Sequence, residues 1–328
     1  MNDSFSRAID YLRLSVTDRC NLRCVYCMPE TAPRFSAHED VLNDDEITEL
    51  VSCFAQLGVS KIRITGGEPL VRPGLPGLIG RLSRVAGIAD IALSTNGVLL
   101  SGAAEELKAA GLKRVNISLD SLNPDKFSQI SRFGTLESVL KGIEAALNAG
   151  LTPVKLNVVV ARGMNDTELS RFAELTQDRP IHVRFIELMP MGETGFFTPE
   201  RRIPLNEIMA AAAPLEPLAQ QDRPLGHGPA RYYRRPNALG SVGFISALSC
   251  GFCSSCNRIR LSSGGTLIPC LDAVYGTDLR TPLRNGAGRE RIKDLISDTI
   301  RNKPESHDMN ARMSASDMNP RFMCSVGG

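Results

Sequence analysis

Short apolar, β-branched runs alternate with amphipathic helical patterns through the first two thirds of the chain, and this alternation limits the fold more than any other feature. The runs are residues 11–16, 61–65, 91–95, 114–119, 154–160 and 182–188. Between the first two, Ile47, Leu50, Val51, Phe54 and Leu57 share one helical face, with Asn43 as an N-cap and Glu46 three residues later. Leu136, Val139, Leu140, Ile143 and Leu147 repeat that pattern, and Gly150 stands where it ends a helix. Strand, helix, strand repeated in this way implies a parallel sheet. Six such units form either a doubly wound sheet or an incomplete TIM-like barrel, and periodicity alone does not choose. Both place chemistry at the carboxyl ends of the strands.

The pattern breaks between about Gly192 and Gly240 into Pro-rich, Gly-rich and charged sequence, so we expect three regions: 1–215, 216–302 and 303–328. The last is polar and ends in Gly-Gly, a composition that reads as a disordered tail. With 42% hydrophobic and 23% charged residues in a 328-residue chain, neither a disordered chain nor a membrane protein fits. The 38 basic residues nearly cancel the 36 acidic ones. A net charge of +2 argues against nucleic acid or membrane as a partner held by bulk charge. The start carries no basic segment followed by an apolar run, and a cytoplasmic location is expected. Nine cysteines in a reducing compartment point to metal or redox chemistry rather than disulfides. Four scattered histidines make a His-rich metal site a poor alternative.

Cys20, Cys24 and Cys27 form C-x3-C-x2-C directly after the first strand run. Three thiolates in one short loop suit iron or zinc. A closed cluster takes four cysteines, so three leave one metal ion open to a non-protein ligand. The plainer alternative is a structural zinc loop whose fourth ligand lies elsewhere. The triad resembles that of the radical S-adenosylmethionine (SAM) superfamily, where three cysteines hold a 4Fe-4S cluster and SAM chelates the fourth iron. Tyr26 then takes the aromatic position of that motif. Thr65-Gly66-Gly67-Glu68-Pro69 resembles the superfamily's Gly-Gly-Glu-Pro segment, where bare backbone approaches the methionyl amino group of SAM.

Cys253, Cys256 and Cys270 form a second triad, with Cys250 three residues before it. Four cysteines could close a zinc ribbon. Arg258 and Arg260, however, alternate on an extended segment and so point to one face beside the metal. Paired guanidinium groups beside an open metal suit a nucleoside triphosphate.

With Gly228-Pro229-Ala230-Arg231-Tyr232-Tyr233, Gly243-Phe244-Ile245-Ser246 and the terminal Gly327-Gly328, the chain resembles the GTP 3′,8-cyclase family over nearly its whole length. The resemblance implies an α/β fold, an incomplete TIM-like (β/α)6 barrel with a C-terminal extension carrying a second iron-sulfur cluster. It implies two 4Fe-4S clusters, SAM and GTP, the free iron of the second cluster holding guanine. Its GTP positions are Arg13, Arg63, Ser94, Lys155, Arg258 and Arg260, with Arg184 a further candidate for the triphosphate. Its SAM positions are Tyr26, Gly67, Ser118 and Met189. Gly327 and Gly328 correspond to an element that inserts towards the active site. Cys250 is expected not to be a ligand, since a fourth thiolate would occupy the iron the substrate needs. Cys53 and Cys324 read as non-ligands.

Independently of the resemblance, Lys155 and Asn157 share a strand face, and a lysine turned inward implies an anion or polar partner, the plain alternative being an internal salt bridge. The reaction implied is a 5′-deoxyadenosyl radical taking hydrogen from ribose C3′, followed by closure onto guanine C8. A low-potential electron donor and a downstream cyclic pyranopterin monophosphate synthase are the implied partners, and a homodimer is allowed. Two rivals stand beside this reading: a radical SAM peptide- or protein-modifying enzyme with an auxiliary cluster, and a non-catalytic zinc-binding interaction protein.

Overall fold

The structure, a computed structural model, describes residues 1–31, 35–311 and 319–327. The six expected runs are strands β1 (Tyr11–Ser15), β2 (Lys61–Thr65), β3 (Asp90–Thr95), β4 (Arg114–Ser118), β5 (Val154–Val160) and β6 (Ile181–Glu187). The remaining strands are β7 (Glu216–Pro217), β8 (Arg231–Arg234), β9 (Ser241–Ile245), β10 (Arg258–Leu261), β11 (Thr266–Ile268) and β12 (Thr277–Asp278). The helices between and after them are α1 (Asp44–Gln56), α2 (Leu75–Leu82), α3 (Ala104–Ala109), α4 (Pro124–Ser131), α5 (Leu136–Asn148), α6 (Leu169–Glu174), α7 (Leu205–Ala211), α8 (Arg280–Arg284), α9 (Arg289–Arg301) and α10 (Met323–Val326).

All the strands lie in one sheet of order β12-β11-β10-β1-β2-β3-β4-β5-β6-β9-β8-β7. β1 to β6 pair in parallel, and the C-terminal region adds one further parallel strand at each side, β10 against β1 and β9 against β6. The order begins at β12 and ends at β7, which fits the incomplete barrel and not a doubly wound sheet with its crossover in the middle.

Alternation within the strands decides what lies on each face. Leu12, Leu14, Ile62, Ile64, Leu93, Val115, Ile117, Leu156 and Val183 belong to the main apolar core under the helices. The residues between them, Arg13, Arg63, Arg114, Lys155 and Arg184, must point the other way. A closed barrel of this kind fills its centre with branched apolar side chains. Here the centre is lined with charge.

The helix signals hold. Asn43 accepts from the Glu46 amide at 2.9 Å, and the Glu46 carboxylate accepts from the Asn43 amide at 2.8 Å. Such a cap stabilises a helix by about 1 kcal/mol. Gly150, at φ +68°, ends α5.

The tail departs from the disorder that its composition suggests. Lys303, Met309, Asn319, Cys324 and Val326 are all buried. Composition averages over the segment, whereas docking needs only a few apolar residues at the right places, and Met309 packs with Met191 and Leu248. Gly328 lies outside the described residues.

Candidate active site

Register places the basic residues side by side. Arg13 is the Cα partner of Arg260 on one side and of Arg63 on the other, giving a row of three guanidinium groups across β10, β1 and β2. A second row runs Ser94, Asn116, Lys155 and His182, and a third runs Ser118, Asn157 and Arg184. Burial and mutual repulsion weaken the hold of Arg13, Lys155, Arg184 and Arg260 on their protons. Arg260 is pushed down to about 10 by burial and then by Arg258. Lys155 is pushed down to about 6 by burial and then by Arg184, Arg63 and Arg114. Local acceptors answer part of this charge. Arg63 donates to Tyr11 Oη at 2.7 Å, Arg184 to Asn157 Oδ1 at 2.9 Å, and Lys155 to the Leu225 carbonyl. Lys155 therefore has backbone carbonyls as partners, and not the salt bridge weighed for it. A lumen this rich in buried cations is built for a polyanion.

The first thiol triad sits at the carboxyl end of β1. Its loop continues the β1–β2 pairing past the strands, since Val16 donates to the Thr65 carbonyl at 3.0 Å, Gly67 to Thr17 at 2.8 Å and Glu68 to Arg19 at 2.8 Å. This accounts for Gly67 differently from the sequence reading: a Cβ there would lie 2.4 Å from the Arg19 carbonyl oxygen. The backbone that crowds this glycine is the chain's own. Burial pushes the Cys20, Cys24 and Cys27 thiols up; Glu68 adds to the rise at Cys20, and neighbouring cysteines add to it at Cys24 and Cys27. A pocket beside them is lined by Cys24, Tyr26, Asn96, Ser118 and Asp120. Tyr26 donates to Asp120 at 2.6 Å, and Asp120 is pushed up to about 6 by burial. The structure thus gathers Tyr26 and Ser118 with the first triad. Met189 packs elsewhere, against Met191, Leu248 and Met309.

The second triad lies in the turn before β10, with Cys270 just after β11. Burial opposes ionisation of Cys256, but Arg258 and Lys303 outweigh it and bring the thiol down to about 7. Burial pushes Cys270 up against the pull of Lys303. Among the described residues, no three His, Cys, Asp or Glu side chains are grouped to hold one metal ion. Three cysteines on one short loop are a donor set that a cluster of several iron atoms takes. The first triad fits that group, and in the second the Cys256 and Cys270 thiols lie within electrostatic reach of each other.

The tail enters the lumen between them. Arg13 donates to the Gly327 carbonyl at 2.7 Å and Arg260 to the Val326 carbonyl at 3.0 Å.

Comparison with known proteins agrees with this architecture. The radical SAM superfamily matches residues 14–176, and Molybdenum Cofactor Synthesis C matches residues 181–309. The GTP 3′,8-cyclase of Pelotomaculum thermopropionicum is 52% identical over 310 residues, 94% of this chain and 95% of that protein. The GTP 3′,8-cyclase of Heliobacterium modesticaldum is 49% identical over 330 residues, the full length of both. The chain belongs to the GTP 3′,8-cyclase family. Among solved structures, Streptococcus suis SuiB bound to precursor peptide SuiA shares the fold at a TM-score of 0.54 and 13% identity, over 98% of this chain and 72% of that one.

For a member of the GTP 3′,8-cyclase family, several residues of this site were not singled out from sequence. Asp120 holds Tyr26, Lys303 faces the second triad, and Glu68 accepts from Thr95 Oγ1 at 2.7 Å and the Asn96 amide at 2.6 Å. Burial pushes Glu68 up to about 7. Asp120 and Glu68 carried a signal, since each is an acid at the end of a strand run. Lys303 carried none.

Proposed function

We propose that this chain converts GTP to (8S)-3′,8-cyclo-7,8-dihydro-GTP, an early step of molybdenum cofactor biosynthesis. The observation that carries the reading is the row Arg260-Arg13-Arg63 lining a lumen that has a thiol triad on either side. Cys20, Cys24 and Cys27 hold one 4Fe-4S cluster, and Cys253, Cys256 and Cys270 hold the other. When bound, the first cluster with SAM supplies a 5′-deoxyadenosyl radical on one-electron reduction.

The protein's own part is positioning and containment. Arg13, Arg63, Lys155, Arg184, Arg258 and Arg260 hold the triphosphate, each cation relieved of its neighbours' repulsion by the anion. Ser94 offers a hydroxyl in the row of Lys155. Fixing phosphate at one end and base at the other holds ribose C3′ near guanine C8, so that ring closure needs little further ordering. Tyr26 and Ser118 line the SAM pocket and Gly67 fixes the loop that supports it, while Met189, a SAM position by resemblance, packs outside that pocket against Met191, Leu248 and Met309. Gly327 completes the lumen wall. Residues 1–215 then act as the barrel, 216–302 as the second-cluster and GTP region, and 303–328 as the tail.

The reading places the chain in a reducing compartment, the cytoplasm, with a low-potential electron donor before it and a cyclic pyranopterin monophosphate synthase after it. Anaerobic incubation of reconstituted protein with SAM, a reductant and GTP, followed by identification of the nucleotide, tests it. A 3′,8-linked product is expected. Recovery of GTP alone, from protein holding about eight irons per chain, would overturn the reading.

A further inference from the structure

Residues 224–228 lie between β7 and β8, in the stretch where the strand and helix pattern breaks. The fold carries them to the amino end of the barrel strands, the end opposite the first triad. Tyr11, Asp90 and Arg114 open β1, β3 and β4, and Lys155 is the second residue of β5. His227 Nε2 stands 3.5 Å from Asp90 Oδ2, and its ring meets the Tyr11 ring edge-on with centroids 6.2 Å apart. Leu225 is 75% exposed, so its side chain faces out while its carbonyl faces Lys155. The segment therefore lays its backbone, and not its side chains, against the charged lumen.

Lys155 receives most of that backbone. Its Nζ donates to the Pro224 carbonyl at 3.4 Å and to the Leu225 carbonyl, and it lies 5.6 Å from the centre of the Tyr232 ring. An ammonium carries three N–H donors. Two on carbonyls leave the third for the lumen, and they hold still a flexible four-carbon stem that would otherwise spread that donor over many directions. Gly226 makes the arrangement possible. A Cβ there would lie 2.6 Å from Lys155 Nζ, and its φ of +147° is one that residues with side chains rarely adopt. The close approach is to Lys155 alone: Arg114 Nε stands 3.9 Å from the same point, and Arg184 Nη1 stands 3.7 Å from a Cβ on Gly228, both ordinary contact.

We propose that residues 224–228 position Lys155 for the triphosphate, the Pro224 and Leu225 carbonyls fixing the amine and Gly226 leaving the room it occupies. Gly226 is a positioning residue of GTP binding that acts through Lys155. The inference rests on the reading that Lys155 meets the triphosphate.

The test is a cycle of variants. GTP binding to reconstituted full-length protein, measured by titration calorimetry without SAM or reductant so that no turnover occurs, is compared in wild type, Gly226→Ala, Lys155→Met and the double variant. A methionine ends where Lys155 Cε stands, 4.0 Å from the Cβ position on Gly226, so the double variant keeps the added methyl and removes the clash. Gly226→Ala is expected to raise the Kd for GTP about tenfold when Lys155 is present and less than about twofold in the Lys155→Met protein. An equal loss in both backgrounds, or no loss in either, would overturn the role of the glycine. Should Gly226→Ala fail to fold, His227→Ala, which frees the segment from Asp90 and Tyr11, enters the same cycle and is judged by the same coupling to Lys155. If Lys155→Met binds GTP as tightly as wild type, the reading of Lys155 as a triphosphate residue falls, and the proposal with it.

Discussion

Arg13 and Gly327, 314 positions apart in the chain, are joined by a hydrogen bond of 2.7 Å inside the barrel lumen. Gly327 has φ +78°, and a Cβ there would lie 2.4 Å from Thr65 Oγ1. A side chain at this position is disfavoured twice, by backbone conformation and by contact. Such strain costs roughly 1–3 kcal/mol, and each 1.4 kcal/mol is a factor of ten. Gly327→Ala is therefore expected to lower cyclisation by about 10- to 100-fold with iron content unchanged. Deleting Gly327 and Gly328 together should abolish it. Turnover within a factor of about two of wild type in Gly327→Ala would show that the tail has no part in the reaction.

Gly67 offers a test that separates the two clusters. Its missing Cβ leaves room for the Asp18 and Arg19 carbonyl oxygens, at 2.6 and 2.4 Å from that position, and neither can swing aside as a side-chain end could. Gly67→Ala should push the cysteine loop off β2. We expect the protein to fold, to keep about four irons on the second triad and to lose the first cluster. Iron analysis with electron paramagnetic resonance of the reduced protein checks this, and a full complement of iron would count against the role assigned to the glycine.

The barrel was legible because its strands are continuous apolar runs in sequence and its caps are local. Asn43 and Glu46 lie three residues apart, so the capping box can be read directly. The lumen was legible only in part. Arg13, Arg63 and Lys155 announce themselves by interrupting apolar strands, but the adjacency of Arg13 and Arg260 depends on β10 docking beside β1, a contact between distant parts of the chain. Asp120 and Lys303 act through partners that no spacing rule reaches. The tail misled because three or four well-placed apolar side chains suffice to dock a polar segment, and composition does not record placement.

Arg260 should matter to GTP binding before it matters to chemistry. It lies beside Arg13 at one end of the guanidinium row and is depressed by burial and by Arg258 when no anion is present. A hydrogen bond to a charged group contributes about 1.5–3 kcal/mol. Arg260→Ala is expected to raise the KM for GTP by roughly 10- to 100-fold, with a smaller fall in kcat. Arg260→Lys should recover only part of this, because an ammonium lacks the planar fork. Steady-state kinetics over a range of GTP concentrations distinguishes the two parameters. An unchanged KM in Arg260→Ala would place the triphosphate elsewhere.

Lys155 makes GTP binding a proton-linked event. Burial, with Arg184, Arg63 and Arg114 around it, brings the ammonium down to about 6 in the free protein, so near pH 8 the side chain is neutral. A bound triphosphate reverses the balance of charge and raises the group towards its ordinary range, so the complex holds a proton that the free protein lacks. The sign follows: between about pH 7 and pH 9 binding takes up close to one proton and weakens with rising pH, by at most tenfold per unit. His182, brought down to about 4 by burial and by Lys155, stays neutral in the free protein throughout that window. Titration calorimetry in HEPES and in Tris, whose ionisation enthalpies differ, measures the proton directly. Lys155→Met should bind more weakly and lose the uptake; a wild-type protein that binds GTP with none would show that Lys155 does not change its charge when GTP binds.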